Sequence, residues 1–234
     1  MLNLLLAEAE IELIPSAIFS HPSVKANAKR RGKPPSEILL DSTIHHSALR
    51  KLIGGERRGR PDLVHFFLLL ALESILNKRG LLNTYIHTRN NELITVNPST
   101  RIPKNYNRFV GLMESLFLRG SVPPEGKPLL ELHRGYDLKR CLDVLKVPKV
   151  VALSEEGISV RLDEHFSDTS RDILCIIGGF SKGDFKSDLS MVDEILSISG
   201  DHLTVWTATS EVLVNYENAA SGLINIIDLN NQRC

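Results

Sequence analysis

The chain has 234 residues, and 42% of them are hydrophobic, which is enough to form a buried core. Its 28 lysines and arginines equal its 28 aspartates and glutamates, which excludes a global basic field, so any binding of nucleic acid must come from a local patch. The three cysteines, Cys141, Cys175 and Cys234, lie far apart, which indicates neither a zinc site nor a disulfide framework and predicts a reducing, cytoplasmic setting.

The N-terminal segment predicts a strand followed by a weakly patterned stretch. Residues 2–14 predict the strand, and the continuous apolar run over 4–6 is typical of burial on both faces of a parallel sheet. Three glutamates and the lack of a basic start argue against a signal peptide. Residues 15–40 are rich in proline, serine, lysine and arginine, and we expect an exposed loop or the start of an insertion.

Two helices are predicted next. Asp41 is a suitable N-cap for a helix over 43–52. That helix contains the pair His45-His46, for which no further ligands stand at suitable spacing, so we predict no metal site. A basic turn then leads to a helix over 62–77, whose apolar run is interrupted and too short to cross a bilayer.

A hairpin and a series of short elements complete the first two thirds of the chain. Strands over 83–88 and 92–96 flank Asn90-Asn91, which tolerates the positive φ of a tight turn. The elements predicted after it are a helix over 105–118, a loop over 120–128, a strand over 129–132 and a helix over 138–145.

Basic residues cluster around two prolines between the hairpin and the following helix. Arg101, Lys104 and Arg108 lie close to Pro98 and Pro103, which stiffen the backbone. The helix dipole disfavours a cation in a first helical turn, so phosphate is a candidate ligand; the alternative is a solvated basic turn. Residues 25–60 are also basic, which indicates an RNA-facing side in the N-terminal half, or else a scattered solvated surface.

The C-terminal part predicts alternating strands and loops. Strands over 150–153, 173–177 and 195–198 each run into a small or polar loop, and a helix over 204–223 closes the chain. This pattern predicts an α/β fold with a mostly parallel sheet. In such folds the ligand site lies at the carboxyl ends of the strands.

Two glycines in these loops raise the question of a nucleotide site. Gly178 and Gly183 have the spacing of a phosphate-binding loop, but Asp184 stands where that motif requires a lysine. The dinucleotide-binding glycine motif is also absent. The loops, together with Leu153, are therefore either ordinary turns or a place where backbone groups approach a flat nucleoside.

Several motifs together resemble a known family. In Gly59-Arg60-Pro61-Asp62, a carboxylate two residues after the arginine can orient its guanidinium. The other motifs lie at residues 80–88, 96–109, 111–113, 177–183 and 198–203. In this order, over nearly the whole chain after about residue 40, they resemble the small-subunit rRNA pseudouridine N1-methyltransferases of the SPOUT class. That family is also called the nucleolar essential protein or essential-for-mitotic-growth family.

The resemblance implies an overall architecture. It is a SPOUT-type mostly parallel sheet flanked by helices, with a C-terminal trefoil knot and an N-terminal insertion. It implies a single domain over 1–234, with a basic insertion over 15–60 and a knotted cofactor-binding part over 149–234. It also implies a homodimer and, as partners, small-subunit rRNA and the pre-ribosomal small subunit, without a membrane. The lack of a long basic N-terminal extension indicates an archaeal member.

The resemblance also implies ligands and the residues that bind them. S-adenosylmethionine is the implied cofactor, and its implied contacts are Leu153, Gly178, Gly183, Ile198, Ser199, Gly200, Asp201, His202 and Leu203. The implied RNA-binding residues are Arg60, Arg101, Lys104 and Arg108, with Asp62 orienting Arg60. Members often have other side chains at 179–182 and 200–202, so we expect backbone contacts to persist there.

The implied reaction is methylation of N1 of a pseudouridine in 16S rRNA, as a step in small-subunit biogenesis. Pseudouridine is joined to ribose through carbon, so its N1 carries a proton and is free to accept a methyl group. We assign no catalytic residue: Asp62, solvent or an RNA group are candidates for taking the proton. The alternative functions are a non-catalytic rRNA-binding assembly factor and a SPOUT 2′-O-ribose methyltransferase.

Overall fold

The computed structural model describes residues 1–231, in which eight strands form one sheet. The strands are β1 (Leu2–Ala9), β2 (Leu82–Thr88), β3 (Glu92–Val96), β4 (Ser121–Val122), β5 (Leu130–Arg134), β6 (Lys149–Ser159), β7 (Ile173–Gly178) and β8 (Glu194–Ser197). Their order across the sheet is β4-β5-β3-β2-β1-β7-β6-β8. The pairs from β2 to β8 are parallel, and β3, β5 and β4 add an antiparallel edge. The predicted mostly parallel α/β fold is confirmed.

Helices cover both faces of this sheet. They are α1 (Pro22–Arg31), α2 (Ser42–Leu49), α3 (Pro61–Glu73), α4 (Ile75–Lys78), α5 (Tyr106–Arg119), α6 (Leu138–Leu145), α7 (Leu162–His165), α8 (Val205–Ala219) and α9 (Ser221–Asn231). No helix of the described residues is long and apolar enough to span a membrane.

The position of β1 in the middle of the sheet explains why its sequence is continuously apolar. Leu4 and Leu6 pack into the larger core with α3, α5 and α8, whereas Leu5 and Ala7 pack into a second core with α6. All four side chains are fully buried. Successive side chains of a strand point to opposite faces, so a strand covered on both faces must be apolar throughout.

The first strand is shorter than predicted, because it ends at Ala9 and not at residue 14. Glu8 takes a left-handed backbone conformation, with φ of 51°, which ends the regular extension. Residues 10–14 form no further strand: they contribute an isolated bridge between Leu13 and Leu39 and single backbone hydrogen bonds, such as that from Ile14 to Ile38.

Residues 15–40 are more ordered than the predicted loop, because they contain α1 and two short 3-10 turns. Ile18, Val24 and Ile38 are buried in a third, smaller core that also includes residues of α2. Many prolines and cations lie between these apolar residues, so no helical periodicity is visible in the sequence.

Most other predicted elements are confirmed, with changed ends. Asn91 has a φ of 57° in the β2–β3 turn, and Asn105 caps α5 through its side chain. The helix predicted over 62–77 is broken at Ser74, whose backbone is extended and whose hydroxyl caps α4. The closing helix is likewise divided into α8 and α9 at Ala220.

Candidate functional site

Residues 153–156 of β6, together with the loops that follow β7 and β8, line a cavity of about 510 Å³. These three strands are parallel neighbours, so their carboxyl ends meet at one edge of the sheet. A ligand site at this edge is what the strand pattern predicted. Its volume lies within the range of small-molecule sites, roughly 300 to 1,000 Å³.

The structure brings together most of the residues predicted to bind a cofactor. Eight line the cavity: Leu153, Gly178, Gly183, Ile198, Ser199, Asp201, His202 and Leu203. The ninth, Gly200, lies in the same loop but does not line the cavity, and the space around its α carbon is open.

Glycines let the loop after β7 approach its neighbours closely. A Cβ on Gly179 would lie 2.6 Å from the α carbon of Ala9, and one on Gly178 would lie 2.6 Å from the ring of Phe180. Gly183 has a φ of 70°, a conformation that favours glycine. The phenyl ring of Phe180 lines the cavity and was not identified in the sequence, because a single aromatic residue in a glycine-rich loop carries no distinctive pattern.

Hydrogen bonds between residues close in the sequence organise the loop after β8. Ser197 donates its hydroxyl to the carbonyl of Ser199 at 2.9 Å, and the amide of Asp201 donates to the hydroxyl of Ser199 at 3.1 Å. Thr204 then caps α8 through its side chain. The loop is thereby fixed between a strand end and a helix start.

Acidic side chains outnumber basic ones in the lining of the cavity. Glu155, Glu156, Asp184 and Asp201 line the cavity, against one lysine, Lys182. Glu155 and Nδ1 of His202 are in hydrogen-bond contact, and the hydroxyl of Ser154 donates to Asp184 at 3.0 Å. Carboxylates beside apolar walls favour a ligand that is partly apolar and carries positive charge.

A second group of predicted residues surrounds the start of α3. Arg60 donates from Nε and Nη2 to the two carboxylate oxygens of Asp62, at 2.8 and 2.7 Å. This hydrogen bond raises the pKa of the Arg60 guanidinium. The amide of Arg60 also donates to the carbonyl of Glu10 at 2.8 Å, just beyond the end of β1. Arg60 therefore lies at the same sheet edge as the cavity.

The basic stretch over 101–108 docks beside Arg60. The hydroxyl of Tyr106 donates to Asp41 at 2.7 Å, and the ring nitrogen of His65 lies 2.8 Å from the carbonyl of Pro103. Burial, and then the bond to Asp41, raise the pKa of Tyr106, which keeps the phenol protonated. Contacts with the N-cap of α2 and with α3 thus hold residues 101–108 near Arg60, although they lie far from it in the sequence.

Three cations on this stretch are free to bind a ligand. Arg101, Lys104 and Arg108 are exposed, and none forms an ion pair with residues 1–231. Together with Arg60, they form a cationic face, which we define as Arg60, Arg101, Lys104 and Arg108. Phosphate groups fit such a face, because both arginine and lysine bind them through charge-assisted hydrogen bonds.

The described thiols do not form a reactive site. Burial raises the pKa values of Cys141 and Cys175 to about 12, so both remain protonated. Cys234 lies outside the described residues. Among residues 1–231, no group of histidines, cysteines and acids is arranged to hold a metal.

The comparisons with known proteins all indicate the same family. A family model described as EMG1/NEP1 methyltransferase matches residues 4–217. The ribosomal RNA small subunit methyltransferase Nep1 of Methanothrix thermoacetophila is 53% identical over 219 residues, which cover 93% of this chain and 96% of that protein. The Nep1 of Thermococcus kodakarensis is 47% identical over 226 residues, covering 95% and 100%.

A solved structure agrees with these relatives. The crystal structure of Archaeoglobus fulgidus Nep1 bound to S-adenosylhomocysteine superposes with a TM-score of 0.84 and 39% sequence identity. The match covers 94% of this chain and 98% of that one. The similarity therefore extends over almost all of both chains.

Proposed function

We propose, from the premise that this chain belongs to the EMG1/NEP1 methyltransferase family, that it is an S-adenosylmethionine-dependent methyltransferase of small-subunit ribosomal RNA. We propose further that it methylates N1 of a pseudouridine, within small-subunit biogenesis. The observation that carries this proposal is the cavity at the parallel strand ends, at the same sheet edge as Arg60 of the cationic face. S-adenosylhomocysteine, which is bound to the Archaeoglobus fulgidus relative, is the demethylated form of that cofactor.

The cavity fits S-adenosylmethionine in both size and polarity. Leu153, Ile198 and Leu203 offer apolar surface to an adenosine, and the glycine-containing loop leaves its backbone groups accessible. Glu155 and Asp184 offer negative charge to a sulfonium and an ammonium group. When bound, the cofactor supplies a methyl group on a positively charged sulfur, which is a good leaving group.

The cationic face would hold the RNA. Arg60, Arg101, Lys104 and Arg108 bind phosphates, and Asp62 keeps the guanidinium of Arg60 in one orientation through two hydrogen bonds. A base that is stacked inside an RNA helix cannot reach the cavity at this edge of the sheet, so the target nucleotide must leave its stack. Holding the phosphates on both sides of that nucleotide fixes where its base can reach.

The chemical step needs little more than alignment and the removal of one proton. N1 of pseudouridine gains the methyl carbon as the carbon–sulfur bond breaks, and the proton of N1 passes to solvent or to a group of the RNA. Both oxygens of Asp62 already accept hydrogen bonds from Arg60, which favours an orienting role for this carboxylate over a role as the base. We assign no catalytic base.

The family also suggests a domain organisation, an oligomeric state and a cellular location for this chain. We propose one domain over 1–234, with a basic insertion over 15–60, a trefoil knot within 149–234 and a homodimer. The separate apolar core of the N-terminal segment supports the insertion, and the convergence of residues 153–156, 177–185 and 196–203 on one cavity supports the knot. The ribosomal substrate supports a cytoplasmic location and the pre-ribosomal small subunit as partner.

The test is methyl transfer from labelled S-adenosylmethionine to two matched RNA hairpins, with pseudouridine or uridine at one loop position. We expect transfer to the pseudouridine hairpin only, since N1 of uridine is bonded to ribose. Transfer to both would indicate a ribose or another base atom, such as the 2′ oxygen. Binding without transfer to either would favour a non-catalytic assembly factor.

A further inference from the structure

We infer that Arg57 and Glu8, which lie outside the cavity, are positioning residues that hold the cofactor loop in its binding shape. The cofactor loop is defined here as residues 178–187. The inference rests on the proposed function, because it assigns these two residues to the binding of S-adenosylmethionine. Neither side chain lines the cavity, so neither is expected to touch the cofactor.

The guanidinium of Arg57 contacts the cofactor loop on two sides. Its Nη1 donates to the carbonyl of Asp184 at 2.8 Å, and its planar face lies 4.0 Å from the ring centre of Phe180. Both of these loop residues line the cavity. The ring of Phe180 in turn packs against the α carbon of Gly178. One buried cation therefore fixes the loop at its start and near its middle.

Glu8 fixes the far end of the same loop. Its Oε1 accepts from the amides of Lys186 and Ser187, at 2.8 and 2.7 Å, and its Oε2 accepts from Nη2 of Arg57 at 3.0 Å. The left-handed backbone of Glu8, with φ of 51°, is secured by a hydrogen bond from its amide to His87 at 3.2 Å. Such strained backbone persists where the surroundings hold it, often at functional sites.

The charge balance explains why these groups can be buried. The side chains of Arg57 and Glu8 are 6% and 7% exposed, and Arg57 also donates from Nε to Glu10 at 3.2 Å. Arg89 pairs with the other oxygen of Glu10 at 2.7 Å, so two arginines offset two glutamates. Each of the three guanidinium nitrogens of Arg57 donates a hydrogen bond, and the flat face of the group lies over the ring of Phe180. Lysine cannot reproduce this arrangement.

The test compares Arg57→Lys with Arg58→Lys. Arg58 is the matched control, because it is adjacent, 11% exposed and bidentate to Glu12 at 2.7 and 2.6 Å, but no hydrogen bond joins it to the cofactor loop. In Arg57→Lys we expect the Kd for S-adenosylhomocysteine, measured by calorimetry, and the KM for S-adenosylmethionine to rise by about tenfold or more. The KM for the pseudouridine hairpin should stay within about twofold. Arg58→Lys should leave all three constants near their wild-type values.

The outcomes separate this inference from the proposed function. An unchanged cofactor constant in Arg57→Lys, or equal increases in both variants, would overturn the inference alone. If wild-type protein binds no S-adenosylhomocysteine, the proposed function fails and the inference fails with it. Should Arg57→Lys show no cooperative melting transition, Glu8→Gln takes its place, because it keeps the side-chain volume while removing the charge that pairs with Arg57. The same increase is expected there.

Discussion

At the scale of single residues, the shape of the site depends on two glycines, because neither has a side chain. Gly178 leaves room for the ring of Phe180, and Gly179 leaves room for the backbone of Ala9. A side chain on Gly178 would therefore act by displacing the aromatic wall of the cavity. The sequence alone predicted either an ordinary turn at this position or a place where backbone groups approach a nucleoside.

We expect Gly178→Val to reduce affinity for S-adenosylhomocysteine by at least about tenfold, because the new Cβ would lie 2.6 Å from the ring of Phe180. Isothermal titration calorimetry on the folded variant measures this. Gly200→Ala is the control, since it lies in a cofactor-side loop but has open space around its α carbon. Wild-type affinity in Gly178→Val would contradict the assignment of this loop.

A second prediction at this scale concerns Asp62. We expect Asp62→Asn to weaken binding of the pseudouridine hairpin by about tenfold, because Arg60 loses one of its two charge-assisted hydrogen bonds and its fixed orientation. The affinity for S-adenosylhomocysteine should not change. Filter binding at constant salt is the measurement, since phosphate contacts depend strongly on salt.

Asp163→Asn is the matched control for that experiment. Asp163 accepts from the guanidinium of Arg161 with the same two-residue spacing, at 3.2 and 2.7 Å, but it lies away from the cationic face at the start of α7. An equal loss of RNA affinity in both variants would count against a specific role for Arg60.

At the scale of elements, one buried carboxylate attaches the N-terminal segment to α5. Glu114 is fully buried and accepts from Arg31, from Lys33 at 2.9 Å and from the amide of Leu39 at 3.1 Å. The helix that carries Arg108 is thereby joined to the segment over 15–40. The position of that segment depends on this contact as much as on its own apolar core.

We expect Glu114→Gln to lower the free energy of unfolding by roughly 2 kcal/mol, because Arg31 and Lys33 lose their charged partner. This is below the usual cost of breaking a buried pair, since the two cations are 26% and 38% exposed. Urea unfolding measures the change, and hydrogen exchange should show faster opening of α1. Glu73→Gln, which breaks an exposed pair with Lys78, should cost far less. Equal costs would refute the anchoring role.

At the scale of the whole molecule, two neighbouring helices on one face of the sheet leave apolar side chains uncovered. Helices α3 and α8 pack over the larger core, yet Phe66 and Trp206 remain exposed on them, with ring centres 5.3 Å apart. Val214, further along α8, is 56% exposed. Exposed apolar side chains on neighbouring helices are typical of a surface that another protein chain covers.

The proposed homodimer predicts that these helices meet a second copy. We expect sedimentation velocity to give a dimer for the wild-type protein and a monomer for Trp206→Glu, because the substitution buries a charge in the interface. Val144→Glu is the control, since Val144 is also exposed and apolar but lies on α6, across the sheet. A monomeric wild-type protein, or dissociation in both variants, would exclude this interface.

Local patterns in the sequence determined most elements and the place of the site. The β2–β3 hairpin, the cap of α5 and the strand-then-loop pattern after residue 149 depend on residues that are close in the chain. The carboxyl ends of parallel strands meet at one edge whatever the details, so this pattern predicted where the cavity lies. The nine cofactor residues, eight of which line the cavity, were implied by the family resemblance and not by the pattern.

Only the tertiary structure decided how these parts are held. The helix α1 is stabilised by apolar contacts and by Glu114, which is more than 80 residues away in the chain. Its own sequence shows no clear helical periodicity. The contact of Glu8 with Ser187 joins residues 179 positions apart. Ion pairs and amide contacts of this kind have no spacing rule, because which charges meet depends on how the strands are ordered in the sheet. That order is set by the packing of the whole chain.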